Sequence, residues 1–507
     1  MKKMQRTAAL LLALLLVTPF MTSCGESKEN TDQPAGTTTE VTPAASVGEE
    51  ETDVAEEDPN AALFADLPTG NYNGQNFSIL TPIHSEYDFI GEIDGDIISE
   101  AVYKRNLAVE EDLGVTINPI SEAGLWNDRD GFLNSIKNSV MAMDDEYQLV
   151  SGYGAYITST ASDGVVANWN EVPSVNFEKP WWNHDIVNEM NVADHLFFVT
   201  GDLSMTSVEY LMCLFANKAM MADYDLTMPY DTVKEGAWTF DAMTAYANMV
   251  HEDLDGNGKM TIDDKYGYST DNTNFVSCYI AAFDADVTVK GDDGLPVLAI
   301  QDESFTDKYL KLYNFLCKSE SVFLSSVEGS YTDDLNRQAT KVFSEGRALF
   351  EAQIVGNAAA LRAVEFDFGI LPLPKYDESQ QAYYTTAWDA YNMFCVPRTA
   401  DLSYVGVVTE NLAARSFETV LPAFYDKALT SKYVRDEQSA EMIELIRSSA
   451  VYNFGVVNSK NVGSPGHLWR DLLGAGDENL ASKIAGTIRA MNKALERFVN
   501  DNYVNAE

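Results

Sequence analysis

The run "DLDGNGKMTIDD", residues 253–264, sets side-chain oxygens at alternate positions of a glycine-containing loop. Asp253, Asp255 and Asn257 fall at loop positions one, three and five, and Gly258 falls at the sharp turn. Lys259 would offer its carbonyl, Thr261 stands at the ninth place and Asp264 at the twelfth. Oxygens so spaced suit a hard cation that tolerates irregular geometry, and the expected ion is calcium. Two departures are visible: Asp264 replaces the longer bidentate Glu of the EF-hand pattern, and "KYGYST" ends any helix after the loop. The alternative is a hydrated acidic turn. One unpaired loop does not make a sensor, so the expectation is a structural ion that stiffens its surroundings without touching substrate.

Other reactive arrangements are missing from the chain. Carboxylates are too numerous, at 78, for any pair to mark a catalytic site. No GxSxG, HExxH or GxxxxGK[ST] occurs, and "HEDLD" at 251 lacks the second His. His84, His184, His195, His251 and His467 have no metal-ligand spacing. "GYGAYI" begins a dinucleotide fingerprint at Gly152 and Gly154, but Ile157 holds the third glycine place, so the expectation is a tight turn presenting Tyr153 and Tyr156. Cys213, Cys278, Cys317 and Cys395 are far apart and mostly in apolar company, which predicts buried free thiols. The reading is a binder, not an enzyme.

The chain has 507 residues, 46% of them hydrophobic, enough for a large core divided between two lobes. A formal charge of −44 repels phosphate backbones and excludes nucleic acid as a partner. At the N-terminus, "MKKMQRT" is a basic n-region and "AALLLALLLVTPFM" an apolar run too short for a comfortable membrane span. It ends in "TSCG", placing Cys24 after two small residues. Residues 1–23 are expected to be a signal peptide. Residues 24–70, rich in Glu, Thr, Ser, Pro and Ala, are expected to be a disordered acidic tether.

Beyond the tether, "NFSIL", "VTINPI" and "YQLVSG" read as strands, separated by two helices. The first helix covers 99–114, with Ser99 placed to cap it and Gly114 to end it. The second sets Phe132, Leu133, Ile136 and Val140 on one face. This β-α-β-α-β alternation predicts a parallel, doubly wound sheet, with ligands beyond the carboxyl ends of its strands. Further on, "LMCLFANKAMM" reads as strand then helix, and Thr239 can cap a helix that follows it. No internal repeat is present.

"FSEGRALF" (343–350), "FGILPLPKYDE" (368–378) and "FANKAMMADYDL" resemble three elements of bacterial extracellular solute-binding proteins of the sugar-transporter type. They stand in the family's order, and "TSCG" resembles the lipobox, with Met21 in place of the usual Leu and Cys24 as the lipidated residue. The resemblance implies a type II periplasmic-binding-protein-like α/β fold, with doubly wound sheets in two lobes joined by a hinge. It implies lobe 1 at 71–199 with a return segment at about 377–415, lobe 2 at 200–376, and a C-terminal helical region at 416–507. "FFVTGDL" (197–203) and "GILPLPKY" (369–376) would be the crossovers. The implied ligand is a mono- or oligosaccharide and the implied partner an ABC permease. The place would be the outer face of the cytoplasmic membrane, or the periplasm of a two-membrane cell, with the protein a lipid-anchored monomer. A glycan hydrolase and a non-transport glycan-binding lipoprotein stand as alternatives.

A pyranose offers C–H faces to aromatic rings and hydroxyls to carboxylates, amides and Arg. With 25 Tyr, 24 Phe and 7 Trp, composition allows such a site and position must locate it. Trp388, after the second crossover, is the expected stacking residue, with Asp389 as hydroxyl acceptor and Tyr391 beside it. Tyr153 and Tyr156 follow from the strand-end argument. In "EKPWWNHD" one of Trp181 and Trp182 is expected to pack inward and the other to face the cleft, because neighbours in extended chain point opposite ways. Asp202, Glu209 and Tyr210 follow the first crossover. Arg347 is expected to form a structural ion pair at a helix start.

Overall fold

The computed structural model describes residues 61–271, 275–325, 335–429 and 437–505. The signal segment, Cys24 and the tether up to residue 60 lie outside the described residues. The fold begins before the expected end of the tether: Ala61–Phe64 is a short helix. Phe64 stacks on Trp181 at 5.8 Å, and Lys179 donates to the Leu63 carbonyl.

The first lobe opens with β1 (Gln75–Pro82), α1 (Ile97–Leu113), β2 (Val115–Glu122), α2 (Arg129–Ala142) and β3 (Leu149–Tyr153). β1 lies between β2 and β3, parallel to both. Phe132, Leu133, Ile136 and Val140 are all buried on one face of α2, as the helical spacing requires. Each such side chain withdraws apolar surface worth about 1.5–3 kcal/mol. The cap of α1 is Asp96, not Ser99. The Asp96 carboxylate accepts from the Ile98 and Ser99 amides, while the Ser99 hydroxyl turns back to the Glu92 carbonyl. Gly114 ends the helix in the left-handed region at φ 61°, a conformation that favours glycine.

After β3 the chain passes through α3 (His184–Met190) and enters the second lobe. That lobe contains β4 (Met212–Asn217), α4 (Phe240–Asn248), β5 (Tyr266–Asp271), α5 (Cys278–Ala282), and the hairpin of β6 (Thr288–Lys290) and β7 (Pro296–Leu298). Next come α6 (Glu303–Lys318), β8 (Val322–Ser325), β9 (Ala348–Ile354) and β10 (Phe368–Leu371). The Thr239 hydroxyl accepts from the Ala242 amide and caps α4. The chain then returns through β11 (Asn392–Cys395) and continues into α7 (Leu402–Arg415) and α8 (Glu437–Ser448).

The first sheet has the order β11-β3-β1-β2, with β11 antiparallel to β3; the second has the order β10-β4-β9-β5-β8 and is mixed. Both expected crossovers prove to be one element early. Residues 197–203 run beside β11, with Val199 bridged to Phe394, and 369–376 stay in the second lobe, where β10 pairs with β4. The chain instead passes between sheets at 204–211 and 384–391, which meet where Leu211 bridges Ala387. A third segment, 449–452, lies alongside, with Ala450 bridged to Thr385. Cys213, Cys278, Cys317 and Cys395 are free thiols, and all but the half-buried Cys317 are buried. No helix among the described residues is long and apolar enough to cross a membrane.

Candidate functional site

The carboxyl ends of β1 and β3, the two crossing segments and the turn after β9 converge on one group of side chains. From β1's end come His84 and Tyr87. The His84 ring sits edge-on to Tyr153 at 6.1 Å, and the Tyr87 hydroxyl donates to Glu209 Oε2 at 2.6 Å. Glu209 and Tyr210 belong to the first crossing segment, and the Trp388 amide donates to the Tyr210 carbonyl at 2.7 Å. That bond brings their rings to 5.2 Å, while Phe275 meets Trp388 edge-on at 6.1 Å from the second lobe. On the first-lobe side, the amides of Gly154 and Ala155 donate to the carbonyls of Tyr391 and Asp389, fixing the strand end against the second crossing. Gly356, after β9, lies so close to Glu209 that a Cβ would stand 3.2 Å from its carbonyl oxygen.

Several buried polar atoms here have no hydrogen-bond partner among the described residues: both ring nitrogens of His84, Trp388 Nε1, Asp389 Oδ1 and Asn357 Nδ2. Buried polar groups are ordinarily paired, so their convergence leaves donors and acceptors to be satisfied from outside the chain. Burial pushes the Asp389 carboxyl up to about 6 against the pull of Arg470 and Lys460, and lowers His84. Next to Asp389 a cavity of about 50 Å³ is lined by Tyr391, Lys460 and His467.

Trp388, Asp389, Tyr391, Tyr153, Glu209 and Tyr210 thus come together. Four expected residues do not. Trp181 and Trp182 are both buried, and neither faces a cleft. Their indole N–H groups donate to the two oxygens of one carboxylate, Trp181 to Glu410 Oε1 at 3.2 Å and Trp182 to Oε2 at 2.9 Å. Tyr156 is corrected as well. A helical turn, Gly154–Ile157, follows β3 in place of the tight turn, and the Tyr156 hydroxyl donates to the Gly124 carbonyl inside the first lobe. Asp202 is engaged by Arg447 at 2.9 Å, which leaves it unsuited to accept from a ligand. His84, Tyr87 and Asn357 were missed, since a lone His, Tyr or Asn carries no spacing signal.

The calcium-type loop lies at the other end of β5 from Asp271. Carboxylate oxygens of Asp253, Asp255 and Asp264 lie within 4.8 Å of one another, the one group of this kind among the described residues close enough to hold a metal ion. Asp253 accepts from the amides of Gly256, Asn257 and Gly258, and Asp264 from those of Leu254 and Thr261. Asn257 accepts from the Lys259 amide. Arg347 is structural, though it stands at the start of β9 and not of a helix: it pairs with Glu345 and donates to the carbonyls of Ile262 and Asp264.

The chain has the two-lobed α/β fold of sugar-binding ABC substrate-binding proteins. Among solved structures it is similar to an ABC substrate-binding protein of Listeria monocytogenes in complex with cycloalternan. The TM-score is 0.52 at 12% identity, covering 84% of this chain and 98% of that one. It is also similar to a solute-binding protein of Thermotoga lettingae bound with α-D-tagatose, with TM-score 0.53, 12% identity and coverage of 83% and 100%. A cyclo/maltodextrin-binding protein complexed with maltotetraose matches with TM-score 0.54, 12% identity and coverage of 84% and 97%. No family model matches the chain, and no curated protein matches it. These neighbours are binding proteins, and at such identity the likeness is one of fold.

Proposed function

We propose that the chain is the lipid-anchored, extracellular solute-binding component of an ABC importer, which captures a carbohydrate between its lobes and delivers it to a membrane permease. The observation that carries this reading is the Trp388 platform, braced by Tyr210 and Phe275, with its own indole N–H and Oδ1 of the adjacent Asp389 lacking partners among the described residues. The indole face would take the C–H face of a pyranose. Asp389 would accept a sugar hydroxyl, and the Trp388 N–H and the Asn357 amide would donate to others. His84, Tyr87 and Tyr153 would contribute from the first lobe, Glu209 and Tyr210 from the hinge. Because the ligand touches both lobes, it binds the closed arrangement better than the open one, and that difference drives closure. Cys24 would carry the lipid.

Calorimetric titration of the purified protein against glycans, from tagatose and maltotriose to cyclic oligosaccharides, tests this. A saturable heat with the glycan recovered intact supports a binder. Accumulating cleavage product would turn the reading to the hydrolase.

We further propose that the loop 253–264 holds a structural calcium ion, with Asp253, Asp255, Asn257 and Asp264 giving side-chain oxygens, Thr261 standing at the ninth position and Lys259 giving its carbonyl. The near meeting of three carboxylates supports it. Calcium should raise the melting temperature of wild type and leave Asp253→Ala and Asp255→Ala unmoved; a wild type indifferent to calcium would end the idea.

A further inference from the structure

A cavity of about 480 Å³ lies between the lobes beside the crossing segments, lined in part by Tyr384 and Thr386. Thr386 also lines the smaller cavity beside Asp389, so the two cavities adjoin along the second crossing segment. Its walls are acidic from both sides. Asp185 and Glu189 on α3 face it from the first lobe, Asp284 and Asp286 before β6 from the second, and Lys290 is the one Lys or Arg in its lining. Lys308, behind Asp284, donates to that residue's carbonyl, and the remaining titratable groups in the lining are Tyr384 and Tyr452.

We propose that this cavity is an electrostatic spring: like-charge repulsion between α3 of the first lobe and the Asp284–Asp286 turn of the second opposes closure, and protons or salt relax it. The inference rests on the reading that the lobes close. The third segment is hung between the opposed walls. Asp185 accepts from the Tyr452 amide and Glu189 from the Phe454 amide at 3.3 Å, while Asn453 accepts from the Thr288 amide at 3.1 Å. Approach of the lobes about this segment therefore brings the carboxylates together. Burial raises Glu189 first of all; Asp185 on the same helix and Asp286 across the cavity add to the rise, while the Phe454 amide and Lys290 pull against it. Burial is also the largest cause of the raised values of Asp185 and Asp286. Like charges facing one another across the cavity repel, and salt or the uptake of protons weakens that repulsion.

The test uses the protein without any glycan, so that a failed ligand screen and a failed spring are separate results. Dyes on the two lobes report the interlobe distance by energy transfer. In wild type the distance should shorten as pH is lowered from 8 into the acid range, where carboxylates take up protons, and as sodium chloride rises at pH 7.5. Asp284→Asn/Asp286→Asn, both exposed positions, should be short already at pH 7.5 and lose most of both responses. Glu303→Gln/Asp307→Asn, a charge-matched change on α6, should respond like wild type. A wild-type distance unmoved by pH and salt overturns the proposal. So does a double variant that keeps the full response, or a control that shifts as far as the cavity variant.

Discussion

The Tyr87 hydroxyl donates to the Glu209 carboxylate across 2.6 Å, tying the turn after β1 to the first crossing segment. The neighbouring Asp88 makes the same tie from below, accepting from the Ser204 hydroxyl, the Met205 amide and the Asn392 side chain. Two consecutive residues thus fix lobe, crossing segment and β11 in one geometry. Tyr87→Phe removes a bond to a charged group, which should cost about 1.5–3 kcal/mol. The expected result is a lower melting temperature, together with glycan affinity reduced at least tenfold in calorimetry.

Burial gives the folded chain protons that the unfolded chain lacks. It pushes Asp88 and Glu410 up to about 7 and Glu351 up to about 8. A carboxyl whose folded value is raised stabilises fully below its unfolded value, about 4, and loses that contribution as pH rises through the folded one. The melting temperature should therefore fall between pH 5 and pH 8.5. The overall charge of −44 works in the same direction. Glu410→Gln separates the two effects: if Glu410 holds its proton at low pH, the variant's decline across this range is shallower than that of wild type. Parallel curves would show that the site contributes nothing.

The strands of the first sheet and the buried face of α2 were legible because period alone fixes them: Phe132, Leu133, Ile136 and Val140 need no knowledge of their partners. Trp388, Asp389, Glu209 and Tyr210 were singled out by place in the chain order, and the fold brings them together. What failed depended on distant partners. Trp181 and Trp182 could both turn inward only because Glu410, on α7, offers one oxygen to each indole, and no local pattern announces that. Gly201 completes the arrangement, since its bridge to Trp182 leaves no room for a Cβ against the Trp181 carbonyl. Asp202 resembled a cleft acid until Arg447 arrived from α8. The crossovers were misplaced because the apolar runs at 197–203 and 369–376 are paired within the sheets, whereas the segments that cross, 204–211 and 384–391, are mixed in polarity and carry no strand pattern.

Trp388 and Trp181 make opposite predictions. Trp388 is half-buried with an indole N–H that has no partner among the described residues, whereas Trp181 is fully buried and bonded. Trp388→Ala should abolish the glycan-induced thermal shift and change the melting temperature of the free protein little. Trp181→Ala should destabilise the free protein by about 3–5 kcal/mol, as large-to-small core changes do. Comparing melting curves with and without glycan distinguishes them, and a Trp388→Ala variant that binds normally would remove Trp388 from the site.

Arg447 and Asp202 form a pair whose worth depends on pH. Asp202 is buried and pushed up to about 6, burial outweighing the Arg447 guanidinium 2.9 Å away. The bond therefore does not fully repay the desolvation of the carboxylate. Without Arg447 the carboxyl would rise further and could escape the penalty by taking a proton. At pH 8 that escape is expensive, and Arg447→Met should cost about 3–5 kcal/mol, the price of a buried charge left unpaired. At pH 5, on the acid side of its raised value, Asp202 takes up a proton more readily, so the same change should cost less, toward about 1 kcal/mol for a hydrogen bond. Asp202→Asn should then rescue Arg447→Met at pH 8 and have little effect at pH 5. Urea unfolding of the four proteins at both pH values checks this, and an equal Arg447→Met penalty at pH 5 and pH 8 would refute it.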